Sequence, residues 1–216
     1  MRFLGRLDAG EQLSEHMKIE HPENTVVLGL PRGGVPLGLI IARKFAVPFD
    51  VVLAKKLVHP THTEFAIGAL AEGGEPNLNQ QFTLDDRWVE QEIRRVRAEN
   101  EKRRALYDQV IEQQSLENKD VILIDDGIAT GSTMFAAIQA VKENAPRSIT
   151  VAVPVIPKDT YYALEKVVDN VCYVLVPNQF RGAVGAYYQN FPQITDDEIM
   201  DMLLSYRKEL DEKKVL

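Results

Sequence analysis

The stretch VILIDDGIATGSTM, residues 121–134, holds a strand pattern, a loop pattern and a helix pattern in direct succession. Residues 121–124 are all apolar, which is typical of a short strand that is buried on both faces. Asp125 and Asp126 follow, then small and hydroxylated residues, and apolar residues at helical spacing begin at Met134. The stretch therefore predicts one strand–loop–helix unit of an α/β sheet.

The loop of this unit has the chemistry to bind a phosphorylated sugar. Glycines allow the backbone to approach an anion closely, and hydroxyls and unpaired amides at a helix start donate to a phosphate. The carboxylates of Asp125 and Asp126 would repel a phosphate, so we expect them to face sugar hydroxyls or Mg²⁺. A simple helix cap would explain only one of the acidic residues and one hydroxyl. The expected phosphate-binding residues are Gly127, Ala129, Thr130, Gly131, Ser132 and Thr133.

Two other kinds of phosphate loop do not match the sequence. It has no Gly-Lys-Ser/Thr, which a nucleoside-triphosphate loop requires, and no G-x-G-x-x-G after a strand, which a dinucleotide site requires.

Composition indicates an ordinary globular enzyme rather than a nucleic-acid-binding or membrane protein. The 216 residues are 45% apolar and 26% charged, and the net charge of −7 disfavours broad nucleic-acid binding. No stretch has transmembrane length or the apolar core of a signal peptide, so a cytoplasmic location is expected. The single cysteine, Cys172, lies in an apolar run and is interpreted as a core residue.

Apolar strand patterns alternate with helix patterns along the chain, which predicts a doubly wound, mainly parallel sheet. Ligands of such sheets bind beyond the carboxyl ends of the strands, where residues 30–32, 55–56 and 125–126 are expected. The predicted strands are 25–30, 51–55, 63–70, 121–124, 149–153 and 171–176, and the predicted helices are 9–20, 35–45, 84–114, 132–144, 159–167 and one from 195.

Two further segments have basic side chains at these strand ends. In LPRGGVP, residues 30–36, Gly33 and Gly34 allow amides near an anion and Arg32 adds a guanidinium, although a plain glycine turn explains the same residues. Lys55 and Lys56 are adjacent in a strand and point to opposite faces, so we expect only one to bind the ligand.

Residues outside the strand ends give weaker signals. His59, His62 and Glu64 suggest a metal site, but no further Cys/His cluster completes one, and we favour a mobile loop. The charged helix at 84–114 is interpreted as a solvated or interface helix. The aromatic residues around 180–191 either stack on a ligand or pack the C-terminal helix.

The chain resembles the type I phosphoribosyltransferases, which use phosphoribosyl pyrophosphate (PRPP). The acidic pair followed by small residues is similar to their PRPP motif, and VVLGLPRGGVPLG, residues 26–38, to their pyrophosphate loop. VVLAKKL, residues 51–57, and PTHTEFAIGALAEGG, residues 60–74, resemble their basic strand and flexible catalytic loop. The subgroup with LPRGG, E-x-A-x-GA and DDG-x-ATG-x-TM elements, whose acceptor is unassigned, matches best.

This resemblance implies that residues 1–216 form a single domain with four parts. It implies a core at about 25–177, a flexible loop at about 58–82, an inserted helix at about 84–114, and a hood from about 1–20 and 177–195. It also implies a cis peptide bond between Pro31 and Arg32 in the pyrophosphate loop. The long helix at 84–114 suits an oligomer arm, and a homodimer is expected.

The reaction implied by the resemblance is displacement of pyrophosphate from C1 of PRPP by a nitrogen nucleophile, with Mg²⁺. Asp125 and Asp126 would bind the ribose hydroxyls, and residues 129–133 would hold the 5-phosphate. Pyrophosphate would be held by Pro31, Arg32, Gly33, Gly34 and Lys55 or Lys56, and the acceptor by Glu64, Val176, Pro177 and Phe180.

Ala129 replaces an aspartate of the hypoxanthine/guanine branch, which makes those acceptors less expected. The alternatives are a non-catalytic regulator that binds PRPP or a nucleotide, and a phosphoribosyl hydrolase.

Overall fold

The computed structural model describes residues 2–59, 66–78 and 85–214. A five-stranded parallel sheet, with strand order β2-β1-β6-β7-β8, confirms the predicted doubly wound α/β architecture. Its strands are β1 (Thr25–Gly29), β2 (Phe49–Val51), β6 (Asp120–Ile124), β7 (Ser148–Val155) and β8 (Asn170–Leu175). A second, antiparallel sheet has the order β3-β4-β5, with β3 at Ala54–Val58, β4 at Ala66–Ala71 and β5 at Asn77–Leu78.

Six α-helices accompany the sheets in the described part of the chain. They are α1 (Arg6–Glu15), α2 (Gly34–Phe45), α3 (Asp86–Tyr107), α4 (Ser132–Lys142), α5 (Lys158–Leu164) and α6 (Asp196–Lys214). Short 3₁₀ helices occupy Pro22–Asn24 and Val184–Tyr187. Of the helices that the structure describes, none is both long and apolar enough to cross a membrane.

The central strands β1 and β6 are mainly apolar because both of their faces are covered. In β1, Val27 points to a core shared with α1, α2 and α6, whereas Val26 and Leu28 point to a core shared with α4 and α5. The same alternation holds in β6, where Ile122 faces the first core and Leu123 the second. Because β1 and β6 pair in parallel, with Gly29 opposite Ile124, their carboxyl ends lie side by side.

The prediction of a core strand at 51–55 was wrong. β2 ends at Val51, and the chain then crosses to the antiparallel sheet before β3 begins at Ala54. The crossing is held by hydrogen bonds from Val52 N to Gly29 O (3.1 Å) and from Leu53 N to a carboxylate oxygen of Glu72 (3.0 Å). Lys55 and Lys56 therefore lie within a separate hairpin and do not end a core strand.

Small side chains pack one face of this hairpin against α4. Ala54, Ala69 and Ala71 of the hairpin contact a pair of alanines on α4, Ala136 and Ala140. The close fit brings the hairpin over the helix that begins at the predicted phosphate loop.

The opposite face of the hairpin packs against α3. Leu57, Ile67 and Leu70 form an apolar cluster with Val96 of α3. The helix was predicted to run to 114, but it ends at Tyr107. One face supports the hairpin, and many residues of the other face are exposed, as expected of a solvated helix, whereas a role as an interface helix stays a prediction. Its polar residues Glu92 and Asn100 are buried and interrupt the apolar stripe, which is why the sequence suggested a solvated helix.

The other elements lie within a few residues of their predicted bounds, with two details of note. The N-terminal helix begins at Arg6 rather than near 9, and it ends at Glu15 rather than near 20. The predicted capping box of the last helix is present, since Glu198 N donates to Thr195 Oγ1 (3.1 Å) and Thr195 N to the Glu198 carboxylate (2.7 Å).

Candidate functional site

Two loops meet where β1 and β6 end. Leu30 N donates to Ile124 O at 2.8 Å, which joins the 31–34 loop to the start of the 125–131 loop. A Cβ on Gly34 would lie 2.2 Å from Ile124 O, and one on Gly33 would lie 2.0 Å from Oδ2 of Asp126. Only glycine at both positions allows the two loops to touch in this way.

The first loop presents one guanidinium. The peptide bond between Pro31 and Arg32 is cis, which confirms that prediction. Arg32 is partly exposed, and its side chain makes no hydrogen bond or ion pair with any residue that the structure describes. Its charge is therefore available to an anionic ligand.

The second loop ends at the N-terminus of α4. Gly131, the residue before the helix, has φ 79°, a left-handed conformation that favours glycine. Thr130 Oγ1 lies 3.2 Å from Ser132 Oγ, so two hydroxyls face each other at the helix start. Within the described ranges, no hydrogen bond from a backbone N–H of residues 129–133 is found. Free amides, hydroxyls and the helix dipole together make an anion-binding site.

Neighbouring elements fix the shape of this loop from both sides. Thr160 Oγ1 of α5 donates to Ala129 O at 3.0 Å. Gly127 has φ 151°, and a Cβ on it would lie 2.5 Å from Val184. The loop is thus held between α5 and the segment that follows β8.

The acidic pair is electrostatically asymmetric. Asp125 is partly buried and accepts a hydrogen bond from Asp126 N (2.8 Å), and it forms no ion pair with a described residue. Burial, and then the neighbouring charge of Asp126, raise the pKa of Asp125 well above its usual value. Burial also raises the pKa of Asp126, and the opposing effect of Arg6 reduces that rise. Asp126 is consequently the member of the pair whose negative charge is compensated within the chain.

Arg6 is the site residue that sequence reasoning missed. Its Nε donates to Oδ2 of Asp126 (2.7 Å), and its Nη1 donates to Pro192 O (2.7 Å). The guanidinium carbon lies 3.9 Å from the centre of the Phe191 ring. An arginine at the start of an amphipathic helix has no local signature of such a role, because its partners lie far along the chain.

The two lysines of β3 have different surroundings. Lys55 forms an ion pair with Glu99 of α3, on the side of the hairpin that faces α3. Lys56 is exposed and has no ion pair with a described residue. It belongs to the same face as Ala54, the face that packs against α4.

The predicted acceptor residues lie beyond the end of β8, apart from Glu64. Val176, Pro177 and Phe180 are partly buried, and the ring of Phe180 stacks on Tyr187 with 5.4 Å between centroids. Tyr187 and Tyr188 are themselves buried in the core, and the Tyr188 hydroxyl donates to Asp126 O. These two tyrosines therefore pack in the core and do not present their rings to a ligand.

Several predictions concern residues that are not described. Glu64 and His62 lie outside the described residues, so the histidine cluster and the 60–65 part of the predicted catalytic loop are not tested. Residues 66–71 of that loop form β4. His59 is described, with its ring 6.4 Å from that of Trp88. Among the described residues, no group of three His, Cys, Asp or Glu side chains is arranged to hold a metal ion.

Comparison with known proteins shows the family to which this chain belongs. A family model described as the phosphoribosyl transferase domain matches residues 8–189. Two Mycobacterium tuberculosis proteins, from strains CDC 1551 and H37Rv, are each 34% identical over 205 residues, which are 93% of this chain. They bear the names "Putative phosphoribosyl transferase MT0597" and "Putative phosphoribosyl transferase Rv0571c". The chain spans only 46% of their length.

A solved structure is also similar to this chain. The crystal structure of TT1426 from Thermus thermophilus has 39% sequence identity and a TM-score of 0.80, covering 95% of this chain and 99% of that one. Since the family model spans well over half of the sequence and includes both loops of the site, the chain belongs to the phosphoribosyl transferase domain family.

Proposed function

We propose that this chain transfers the phosphoribosyl group of PRPP to a nitrogen nucleophile and releases pyrophosphate. The observation that carries the proposal is the contact between the 31–34 loop and the 125–131 loop, with Gly33 against Asp126. One loop offers a free guanidinium, and the other offers free amides beside two carboxylates. PRPP has the matching parts, since a pyrophosphate and a 5-phosphate flank its ribose hydroxyls.

The roles of the residues follow from their surroundings. Residues 129–133 would hold the 5-phosphate, and Asp125 would accept hydrogen bonds from the ribose hydroxyls. Arg32 and the amides of Gly33 and Gly34 would stabilise the leaving pyrophosphate. Catalysis would rest on positioning and on charges that are already in place when the C1–oxygen bond breaks.

Lys56 is the lysine that we assign to pyrophosphate. Lys55 is engaged by Glu99, whereas Lys56 lies unpaired on the face of the hairpin that packs against α4. The helix begins at the phosphate loop, so this face is the one that borders the proposed PRPP site.

The donor set of the site fits Mg²⁺ that arrives with PRPP. Mg²⁺ in proteins is held by one or two carboxylates, by substrate phosphates and by waters. Asp125 has no cationic partner in the described part of the chain, whereas Asp126 is engaged by Arg6. Asp125 would hold the hydrated ion, and Mg²⁺ when bound supplies charge neutralisation for the pyrophosphate.

The acceptor would bind under the segment that follows β8. Val176, Pro177 and Phe180 are partly buried apolar residues that follow β8, and Glu64 is proposed as a polar contact. A nitrogen base fits such a surface because its faces are apolar and its edges are polar. The cytoplasmic location, the homodimer and the absence of nucleic-acid binding stay predictions.

Pyrophosphate release is the test of this function. The full chain is incubated with PRPP, Mg²⁺ and a panel of purine bases, pyrimidine bases and amines. Release that depends on one class of acceptor is the expected result. Release without any acceptor would instead indicate a hydrolase, and PRPP binding without release would indicate a regulator.

Matched amide variants connect the result to the acidic pair. Asp125→Asn should reduce pyrophosphate release about 100-fold, since it replaces a carboxylate oxygen that would accept from the ribose hydroxyls. Glu117→Gln is the control, because Glu117 is exposed near the opposite, amino end of β6. Equal activity of the two variants would show that Asp125 has no part in the reaction.

A further inference from the structure

An arginine from the N-terminal segment is built into the ribose side of the site. The side chains of Arg6 and Asp126 are only 12% and 13% exposed, and 2.7 Å separates Nε from Oδ2. Because both are nearly buried, this ion pair is much less screened by water than a surface pair.

The backbone fixes where Arg6 stands. Phe3, which is fully buried, donates its N–H to Tyr187 O (2.8 Å) and accepts at its carbonyl from Gln189 N (2.8 Å). Asn190 N donates to Leu4 O at 3.1 Å. We name residues 2–6 and 184–192, which these bonds join, the hood clamp.

The hood clamp contacts the 125–131 loop at three points. Arg6 binds the carboxylate of Asp126, the Tyr188 hydroxyl binds the carbonyl of the same residue, and Val184 packs against Gly127. On its other side, the Asp126 carboxylate touches Gly33. Asp126 is thus enclosed between the clamp and the pyrophosphate loop.

We propose that Arg6 is a positioning residue, which holds Asp126 within the hood clamp and thereby leaves Asp125 as the carboxylate that meets the ribose. This inference rests on the proposed function and assigns unequal roles to two adjacent aspartates. Arg6 suits the task because its planar guanidinium bonds the carboxylate and Pro192 O at once while it stacks on Phe191. A lysine ammonium has neither the forked set of N–H donors nor the planar face of a guanidinium.

Without Arg6, the Asp126 carboxylate would be left nearly buried and uncompensated. It would turn outward or take up a proton, and either change would move the loop next to the ribose. The pyrophosphate loop has its own anchor, the hydrogen bond from Leu30 N to Ile124 O, and would keep its shape.

Calorimetric binding of two ligands, each with Mg²⁺, tests the proposal. For Arg6→Ala we expect ribose 5-phosphate to bind about tenfold more weakly, as the loss of one charge-assisted contact predicts, with pyrophosphate affinity within about twofold of the original. Arg6→Lys should recover part of the loss. Arg94→Ala is the control, since Arg94 is an exposed arginine of α3 that lies outside the hood clamp. Unchanged ribose 5-phosphate binding in Arg6→Ala, or an equal loss of both ligands, would overturn the proposal.

A double variant separates positioning from a general loosening of the fold. If Arg6 acts through Asp126, then Arg6→Lys should have little further effect on ribose 5-phosphate binding in an Asp126→Asn background. Additive effects would overturn the proposal. If the unmodified protein binds neither ligand, the phosphoribosyl function itself fails. If it binds both and the Arg6 variants do too, only this inference fails.

Discussion

Gly33 and Asp126 are in direct contact, and a Cβ on Gly33 would lie 2.0 Å from Oδ2 of Asp126. We therefore predict that Gly33→Ala separates the two loops, because neither the buried carboxylate nor the backbone can yield at low cost. The cost of such overpacking is typically about 1–3 kcal/mol. Calorimetry should show weaker binding of both pyrophosphate and ribose 5-phosphate. Gly5→Ala is the control, since the nearest atom to its Cβ would be 3.7 Å away, and binding equal to that control would refute the contact.

The pairing of Lys55 with Glu99 predicts a difference between two adjacent lysines. Lys56→Ala should weaken pyrophosphate binding by about tenfold, the usual effect of losing one charge-assisted hydrogen bond. Lys55→Ala should change the pyrophosphate affinity little, because Lys55 already forms an ion pair with Glu99 of α3. Titration of each variant with magnesium pyrophosphate measures both effects. A larger loss in Lys55→Ala would reverse the assignment.

Arg104 holds the crossing between the two sheets. Its side chain is 13% exposed and donates to Oδ1 of Asp50 (2.9 Å), which is 4% exposed, and to Oε2 of Glu72 (2.8 Å). Arg104→Met would leave two carboxylates without their cation. We expect the free energy of unfolding in urea to fall by about 3–5 kcal/mol, as is typical when one member of a buried ion pair is removed.

Arg94→Met provides the comparison on the same helix. Arg94 is exposed and lies 3.6 Å from Glu90, an arrangement worth about 0.3–0.5 kcal/mol at most. Similar urea midpoints for the two variants would mean that the Arg104 network does not stabilise the crossing.

Cys172 should be a slow nucleophile in the folded chain. Burial raises the pKa of its thiol to about 11, and the Sγ donates to His16 O at 3.5 Å. At pH 8 only about one thiol in a thousand would be ionised, so iodoacetamide should react about 100-fold more slowly than with an ordinary cysteine. The rate should rise about tenfold per pH unit as the thiolate forms. Mass spectrometry would measure the rate of alkylation in buffer, where the chain is folded, and in urea, where it is unfolded. Equal alkylation rates in the two conditions would contradict the burial of Cys172.

The sequence predicted those parts of the site whose signals are local. The strand, acidic pair, loop and helix of residues 121–134 follow from apolar pattern, turn residues and helix-start chemistry, all within a short segment. The capping box at Thr195 and Glu198 is equally local. The cis bond after Pro31 followed from the family resemblance and not from the residues alone.

The features that the sequence did not predict depend on contacts between distant residues. Arg6 acts through Asp126, 120 positions away, and nothing beside it in the chain marks it. The end of β2 was hidden because residues 51–54 are apolar on both sides of the crossing. In the sequence, Glu92 of α3 suggested an exposed position. In the structure it is buried, and its carboxylate accepts hydrogen bonds from Val58 N and Arg95.

The alanine contact between the hairpin and α4 has a mechanical consequence. Ala54, Ala69 and Ala71 meet Ala136 and Ala140 without the long interlocking side chains that resist lateral displacement. Such a smooth contact favours shear, in which two packed elements slide by small steps and keep their spacing. The hairpin would carry Lys56 with it and remain bonded to α3 through Lys55 and Glu92, so the pyrophosphate end of the site would tighten or open along the axis of α4.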